Sequence, residues 1–463
     1  MSMFKDIPVD VGVIYEGERI RFSDMQVELG GPREPYKFEL VRVFPLEEVE
    51  DGKVTIVGPD IKDLQEKSNS PFGLYIKASG RELEKDIEGV IERRVHEYVN
   101  FIEGFMHLNQ RYDIQLRLTK KSFQRGFNSF TFMAKVLERL FKSEFPIVER
   151  IEFVFMTDGE KVKEMFQEAM RIYQERDARA RGLTDEEVDT FYGCTLCQSF
   201  APTHICVITA QRYANCGAIS WFDGRATARV DPKGPVFTVP KGECLDPLKG
   251  EYEGVNKVIR EKSLGEIQRV WLYTAFGYPH TSCGCFEGCA FYIPEVDGFG
   301  LVDRNFRGET VNGLNFTTIS DATAGGRQVD GFHGLSVEYM RSRKFLQADG
   351  GWSRIVWLPK SVKDRVQDFI PPELADKVAT EENVKNLDEL RAFLVEKKHP
   401  IVERWKTMEE VVKAEKAIEE PTVEVPLEGM PMAGLPAGLN VKILLKGAKI
   451  SVKKMIIKPA KEK

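Results

Sequence analysis

Residues 191–226 read FYGCTLCQSFAPTHICVITAQRYANCGAISWFDGRA. Four cysteines stand in this run, Cys194, Cys197, Cys206 and Cys216, at the spacing C-x2-C-x8-C-x9-C. Four soft thiolates in so short a loop suit a tetrahedral zinc ion or an iron–sulfur cluster. A zinc ribbon usually shows two tight C-x2-C pairs, one per knuckle. Only the first pair is tight here, which favours the larger body of a cluster. From this stretch to about residue 370 the chain is rich in glycine, aromatics and short apolar runs. Glycine allows close backbone approach and positive φ, so such a region is expected to fold tightly around a bound group. The fold implied for this part is a Gly-rich α+β domain.

A second thiol group follows at Thr281-Ser282-Cys283-Gly284-Cys285. Two thiols separated by one glycine can bind a metal in one plane, with the amide nitrogens of Gly284 and Cys285 completing the square when deprotonated. Two thiolates and two amides suit square-planar Ni(II) or Cu(II) and do not suit zinc. Both sulfurs keep lone pairs for bridging to a second metal. C-G-C alone is a weak signal; behind four cluster-type thiols it is a strong one. The six sulfurs are therefore expected to converge in space. All eight cysteines fall between residues 194 and 289. Cys244 and Cys289 stand outside the pattern and read as buried small apolar residues.

Outward toward the N-terminus, the cysteine-free part reads as mixed α/β. Strands are expected at Phe38–Phe44, Tyr112–Leu118 and Arg150–Thr157 from their β-branched and aromatic runs. Residues Arg81–Phe101 carry Leu83, Ile87, Val90, Ile91, Val95 and Tyr98 at helical spacing, which predicts an amphipathic helix with a charged opposite face. Ser122–Phe145 and Gly159–Ala180 read the same way. Thr184 followed by Glu187 is a capping-box pattern that starts a short helix leading into the first cysteines. Toward the C-terminus, Leu387–His399 and Ile401–Glu420 read as exposed charged helices. A Pro/Gly linker follows from Pro421 to Gly438, then a hairpin around Lys446-Gly447-Ala448. The last 24 residues carry eight lysines and one glutamate, a basic tail suited to docking an acidic partner. The expected domains are 1–185, mixed α/β; 186–400, the metal-cluster domain; and 401–463, charged helix, linker and tail.

Composition bounds the function. The 463 residues are 42% hydrophobic and 30% charged, which excludes a disordered or collagen-like chain. A net charge of −6 argues against a dedicated nucleic-acid binder. The N-terminus lacks a basic n-region followed by an apolar run, and no 18-residue apolar stretch occurs. A cytoplasmic, disulfide-free protein without a membrane span is expected.

The two cysteine motifs, with the surrounding strings at 191–226 and YTAFGYPHTSCGCFEGCAFYIPEVDGFGLVDRN at 273–305, resemble the acetyl-CoA synthase family. The likeness is to the archaeal-type β subunit of the acetyl-CoA decarbonylase/synthase complex and covers most of the chain. The resemblance implies a [4Fe–4S] cluster on Cys194, Cys197, Cys206 and Cys216, with Cys197 also bridging to a proximal nickel. It implies that Cys283 and Cys285 bridge the proximal and a distal nickel, the latter completed by the amides of Gly284 and Cys285. Phe200 matches a phenylalanine beside the proximal nickel. The implied activity is an acyltransferase that joins carbon monoxide, a methyl group from a corrinoid iron–sulfur protein and coenzyme A into acetyl-CoA, or cleaves it in reverse. Carbon monoxide dehydrogenase subunits are the implied partners, in the Wood–Ljungdahl pathway or methanogenesis. The residues themselves leave open an electron-transfer or scaffold subunit with a plain [4Fe–4S] cluster, and a structural zinc protein. His204 and His280 are read as packing or hydrogen-bonding beside the sulfurs. Asp223-Gly224-Arg225 and Gly325-Gly326-Arg327 are read as tight turns, their arginines solvated or turned to a coenzyme A phosphate.

Overall fold

The structure, a computed structural model, describes residues 3–405 apart from 110 and 112. The described residues form one compact unit. Of the helix expected over Ile401–Glu420 only the start, to Trp405, lies within them, and Ile401 and Trp405 are buried where an exposed helix was expected; the linker, the hairpin and the basic tail lie outside. It is an α/β and α+β protein with several small sheets. In the N-terminal part, four strands lie in the order Lys37–Val43, Phe72–Ser79, Arg150–Met156, Val54–Val57. Side chains alternate across this sheet, as the period of a strand requires. Ile151, Phe153 and Phe155 enter the main core, whereas Val154 and Met156 meet the outer helix. On the core side stand α1 (Glu88–Asn100) and α3 (Phe130–Glu144), while α2 (Lys120–Gln124) packs on the strands Met25–Gly30 and Gln115–Thr119 of a second sheet. On the outer side lies α4 (Gly159–Ala180), whose bounds coincide with those expected and whose first turn is capped by Asp158.

Three expectations need correction. The single helix expected over Ser122–Phe145 is two, because Gly126 takes φ +106° and Ser129 caps a fresh start at Phe130. The helix expected over Arg81–Phe101 is regular only from Glu88, and its charged face is not solvated: Glu88, Glu92, Arg93, Arg94 and His96 are all buried. That face turns toward the cysteine region. Gly89 permits it, since a Cβ there would lie 2.2 Å from the carbonyl oxygen of Ala218. The expected strand starting at Tyr112 begins at Gln115; Tyr112 itself is outside the described residues.

Beyond the Thr184–Glu187 capping box, which forms as expected, the chain builds three further sheets. The main one runs Phe332–Leu335, Gly288–Ile293, Gly298–Asp303, Ile355–Trp357. Its faces supply two separate cores, one holding Ala290, Leu301 and Ile355, the other Phe291, Ile293 and Trp357. Helices α5 (Trp221–Val230), α6 (Glu253–Lys262), α7 (Phe316–Thr323), α8 (Val337–Arg341), α9 (Lys360–Val366) and α10 (Leu387–Glu396) surround them. The largest core takes side chains from both sides of residue 185: Val90, Val95 and Phe141 share it with Tyr192, Ile208 and Ile219. Among the described residues no helix is long and apolar enough to cross a membrane.

Candidate metal centre

The strand Thr190–Cys194 pairs antiparallel with Cys206–Ile208 and Val236–Pro240. In that register Cys194 and Cys206 are direct cross-strand partners, so their thiols leave the sheet on one face. Gly193 lets the ladder close, because a Cβ there would meet the Phe237 ring at 2.4 Å. The chain then turns sharply, with Thr195 N donating to Pro235 O and Ala201 N to Cys197 O, each at 2.9 Å. This brings Cys197 back toward Cys194. Cys216 arrives through a separate turn, where Gly217 at φ +74° leaves room for the Glu287 carboxylate. All four cysteines are buried.

The C-G-C segment is a tight turn around Gly284, at φ +87°. A Cβ on Gly284 would stand 3.1 Å from the Ala324 methyl and 3.3 Å from Ser320 Oγ, so α7 presses directly on it. The Cys285 amide nitrogen lies 3.3 Å from Cys283 Sγ, and Gly284 N donates to Ser282 Oγ at 3.1 Å. The backbone thus folds the Cys285 amide back onto the Cys283 thiol, while the Gly284 amide turns to the Ser282 hydroxyl. Cys283 in turn lies against Cys197, and the two share a small buried cluster with Ala201, edged by Phe200 and Cys285. The two cysteine motifs, 86 positions apart from Cys197 to Cys283, meet at this contact.

Helix α1 supplies what spacing could not reveal. Arg93 Nη2 donates to Cys197 Sγ at 2.9 Å, and its buried Nη1 has no partner among the described residues. The thiols Cys197, Cys216, Cys283 and Cys285 all lie within its electrostatic reach. One turn on, His96 stands beside Cys285. Burial and the neighbouring Arg93 hold His96 down at about 3, a neutral imidazole at any physiological pH. Hydrogen bonding from Cys283, with Arg93 beside it, lowers the Cys197 thiol. Cys285 is lowered by Cys283, His96 and Arg93. Burial raises Cys194, Cys206 (to about 12) and Cys216. These three need a metal's charge to ionise, as structural thiolate ligands do.

The donor set fits a heterometal assembly. It offers six sulfurs, one backbone amide turned onto a thiol with the Gly284 amide beside it, and a buried guanidinium whose Nη1 has no partner among the described residues. Among the described residues no three Cys, His, Asp or Glu side chains form a ready-made single-ion site.

The C-G-C turn opens on a cavity of about 740 Å³, lined also by Phe200, His96 and the segment Glu16–Arg21. Glu18 ties that segment down by accepting from Gly104 N at 3.2 Å. Burial pushes the Glu16 carboxyl up to about 7. His204 holds Cys206 Sγ at 3.1 Å through Nε2 and Thr281 Oγ1 at 3.0 Å through Nδ1. His280 accepts from Val207 N at 2.9 Å. Cys289 is buried as expected, but Cys244 is exposed, because its short two-stranded ribbon packs no core over it. Asp223-Gly224-Arg225 is not a turn: Asp223 closes the capping box that starts α5. Arg225 there faces Asp86 and the Trp221 ring, not an open site. Gly325 and Gly326 do form a turn, and Arg327 lines the cavity while capping the carbonyls that end α7. Arg93, His96 and Glu16 were missed by sequence reasoning, since nothing in a mixed-charge helical repeat separates a buried face from a wet one.

The family described as CO dehydrogenase/acetyl-CoA synthase complex beta subunit matches residues 7–162, and the family described as the C-terminal part of the ACS/CODH beta subunit matches 173–409. The chain is 51% identical to the acetyl-CoA decarbonylase/synthase complex subunit beta of Methanopyrus kandleri, over 99% of both chains. It is 54% identical to subunit beta 2 of that complex from Methanocaldococcus jannaschii, over 87% of this chain and 85% of the relative. With the Methanothermobacter thermautotrophicus subunit beta it shares 50% identity, over 98% and 100%. With both halves matched and every cysteine motif inside the matched segments, the chain belongs to the family of CO dehydrogenase/acetyl-CoA synthase complex beta subunits.

Proposed function

We propose that this chain is the acetyl-CoA-forming and -cleaving subunit of an acetyl-CoA decarbonylase/synthase complex, an acyltransferase acting on carbon monoxide, a corrinoid-borne methyl group and coenzyme A. The observation that carries the reading is the Cys197–Cys283 contact, which joins a four-thiol motif to a C-G-C turn beneath a single buried arginine. Cys194, Cys197, Cys206 and Cys216 would hold a [4Fe–4S] cluster. Cys197, Cys283 and Cys285, with the amides of Gly284 and Cys285, would hold two nickels. When bound, such a centre would supply redox-active nickel chemistry of the kind that carbon–carbon joining and transfer to a thiol require. The chain's own residues do the rest. Arg93 offsets the thiolate charge from the protein side and leaves the cavity side free. Phe200 lines the cavity and edges the Cys197–Cys283 contact, giving the C-G-C turn an apolar wall. Glu16, whose carboxyl burial pushes up to about 7, stands on the cavity wall as a group able to hold or release a proton near neutral pH. Carbon monoxide dehydrogenase subunits and a corrinoid iron–sulfur protein are the partners this reading requires.

Oxygen-free metal and sulfide analysis tests it. Protein purified from its native complex is expected to carry about two nickels and one four-iron cluster per chain. Cys285→Ala should abolish acetyl transfer and lose nickel while keeping the iron–sulfur absorption. Iron and sulfide without nickel would instead make the chain an electron carrier or scaffold, and unchanged turnover in Cys285→Ala would remove the site assignment.

A further inference from the structure

Away from the thiols, the cavity wall carries positive charge that the protein does not neutralise. Arg307 lies within electrostatic reach of Arg117, Arg304, Glu28 and Asp113. Both carboxylates are already engaged. Glu28 accepts from Arg117 Nε at 2.5 Å and from Gln115 Nε2 at 2.6 Å, and Asp113 faces Lys37 at 3.4 Å. The carboxylate beside Arg304 in sequence, Asp303, is taken by Arg365 at 2.6 Å. Arg304 and Arg307 are left over, with no hydrogen bond or ion pair among the described residues. Arg307 is exposed at the rim. Arg304 is only 6% exposed, and its Nη1 is sealed from solvent without a partner.

A buried guanidinium without a counter-ion is costly, and evolution of a stable fold does not supply one idly beside open space. An anionic ligand in the cavity would restore the balance. Guanidinium groups bind phosphate through paired, charge-assisted hydrogen bonds, and their planar fork sets its orientation. The same cavity is lined by Cys283, Gly284 and Cys285, and its volume of about 740 Å³ takes an extended cofactor rather than a lone phosphate. Coenzyme A has this character: phosphates at one end, a thiol at the other, and a flexible neutral arm between.

We propose that Arg304 and Arg307 hold the phosphates of coenzyme A while its arm runs along the cavity and its thiol reaches the Cys283–Cys285 turn; this rests on the acetyl-CoA reading above. The two arginines then select the full cofactor over its unphosphorylated thiol fragment. The reacting thiol is delivered by anchoring its distant, charged end.

Equilibrium binding of coenzyme A, pantetheine and inorganic pyrophosphate to the metal-loaded full chain decides it. Arg304→Gln and Arg307→Gln are each expected to weaken coenzyme A binding ~10–100-fold while moving pantetheine by less than about twofold. Pyrophosphate should compete with coenzyme A on the wild type and lose that competition in the double variant. Arg307→Gln changes an exposed side chain, so it keeps the test open should Arg304→Gln fail to fold. Undiminished coenzyme A affinity in Arg307→Gln, or equal losses for coenzyme A and pantetheine, overturns this inference and leaves the metal-centre reading intact. A wild-type holoprotein that holds neither nickel nor coenzyme A overturns the reading beneath it, and this one with it.

Discussion

Helices α1 and α4 both carry dense mixed charge, and the protein uses that charge in opposite ways. On α4, Arg171 pairs with Glu168 and Glu175 on a wet surface, where such pairs contribute little. On α1, 12 of 13 residues are buried, so every charge on it must find a partner inside the protein. Most do. Arg176, reaching in from α4, pairs with Glu88 at 2.6 Å and Glu92 at 2.9 Å. Arg94 meets Tyr98 Oη at 3.1 Å, Asp231 at 3.7 Å and the face of Phe145. Only Arg93 is left pointing at sulfur. The lesson is that in a helix buried on all sides, the ion without a carboxylate marks the site, because no other arrangement would keep it there.

The comparison breaks most visibly at Arg93. Arg93→Met should lower retained nickel and iron by ~10–100-fold in metal analysis, as loss of a group supporting metal ligands does. Equal metal content would mean that the charged face of α1 is structural only. Next in size, Arg176→Ala strands Glu92 as a buried carboxylate without an ion pair, leaves Glu88 to Arg42 alone, and should cost about 3–5 kcal/mol in urea unfolding. Five residues earlier on the same helix, Arg171→Ala should cost under about 0.5 kcal/mol, so a similar loss from both would erase the distinction drawn here.

Between these lies a pH effect from Glu97, the α1 residue nearest solvent. Burial pushes its carboxyl up from the ordinary 4.5 to about 7. The stability it allows is fully present below pH 4.5. As pH rises toward 7 the unfolded chain ionises first, and the folded state loses on the order of 2–3 kcal/mol. Urea midpoints should fall across that window in the wild type and fall less in Glu97→Gln. A flat difference between the two would show that Glu97 ionises as an exposed α4 glutamate does.

Much of the fold was readable because it rests on local rules. The bounds of α4 follow from its apolar period and the Asp158 cap, and the strand Arg150–Met156 from its alternating run. The break at Gly126 was missed because an apolar period continues across it, and only the backbone angle shows the interruption. Cys244 and Cys289 look alike as residues. One sits on an uncovered ribbon and the other in a packed core, a difference set by neighbours distant in the chain.

The cysteine spacings, the glycine between Cys283 and Cys285 and the aromatic strings around them are properties of order along the chain, and they were enough to point to the family and to six candidate donors. Order along the chain carries no charge balance, however. Which arginine meets Cys197, which guanidinium stays unpaired above the cavity, and which helix face leaves water are decided only when segments tens to hundreds of residues apart are packed together, since the cost of an unneutralised ion depends on what surrounds it and not on what precedes it.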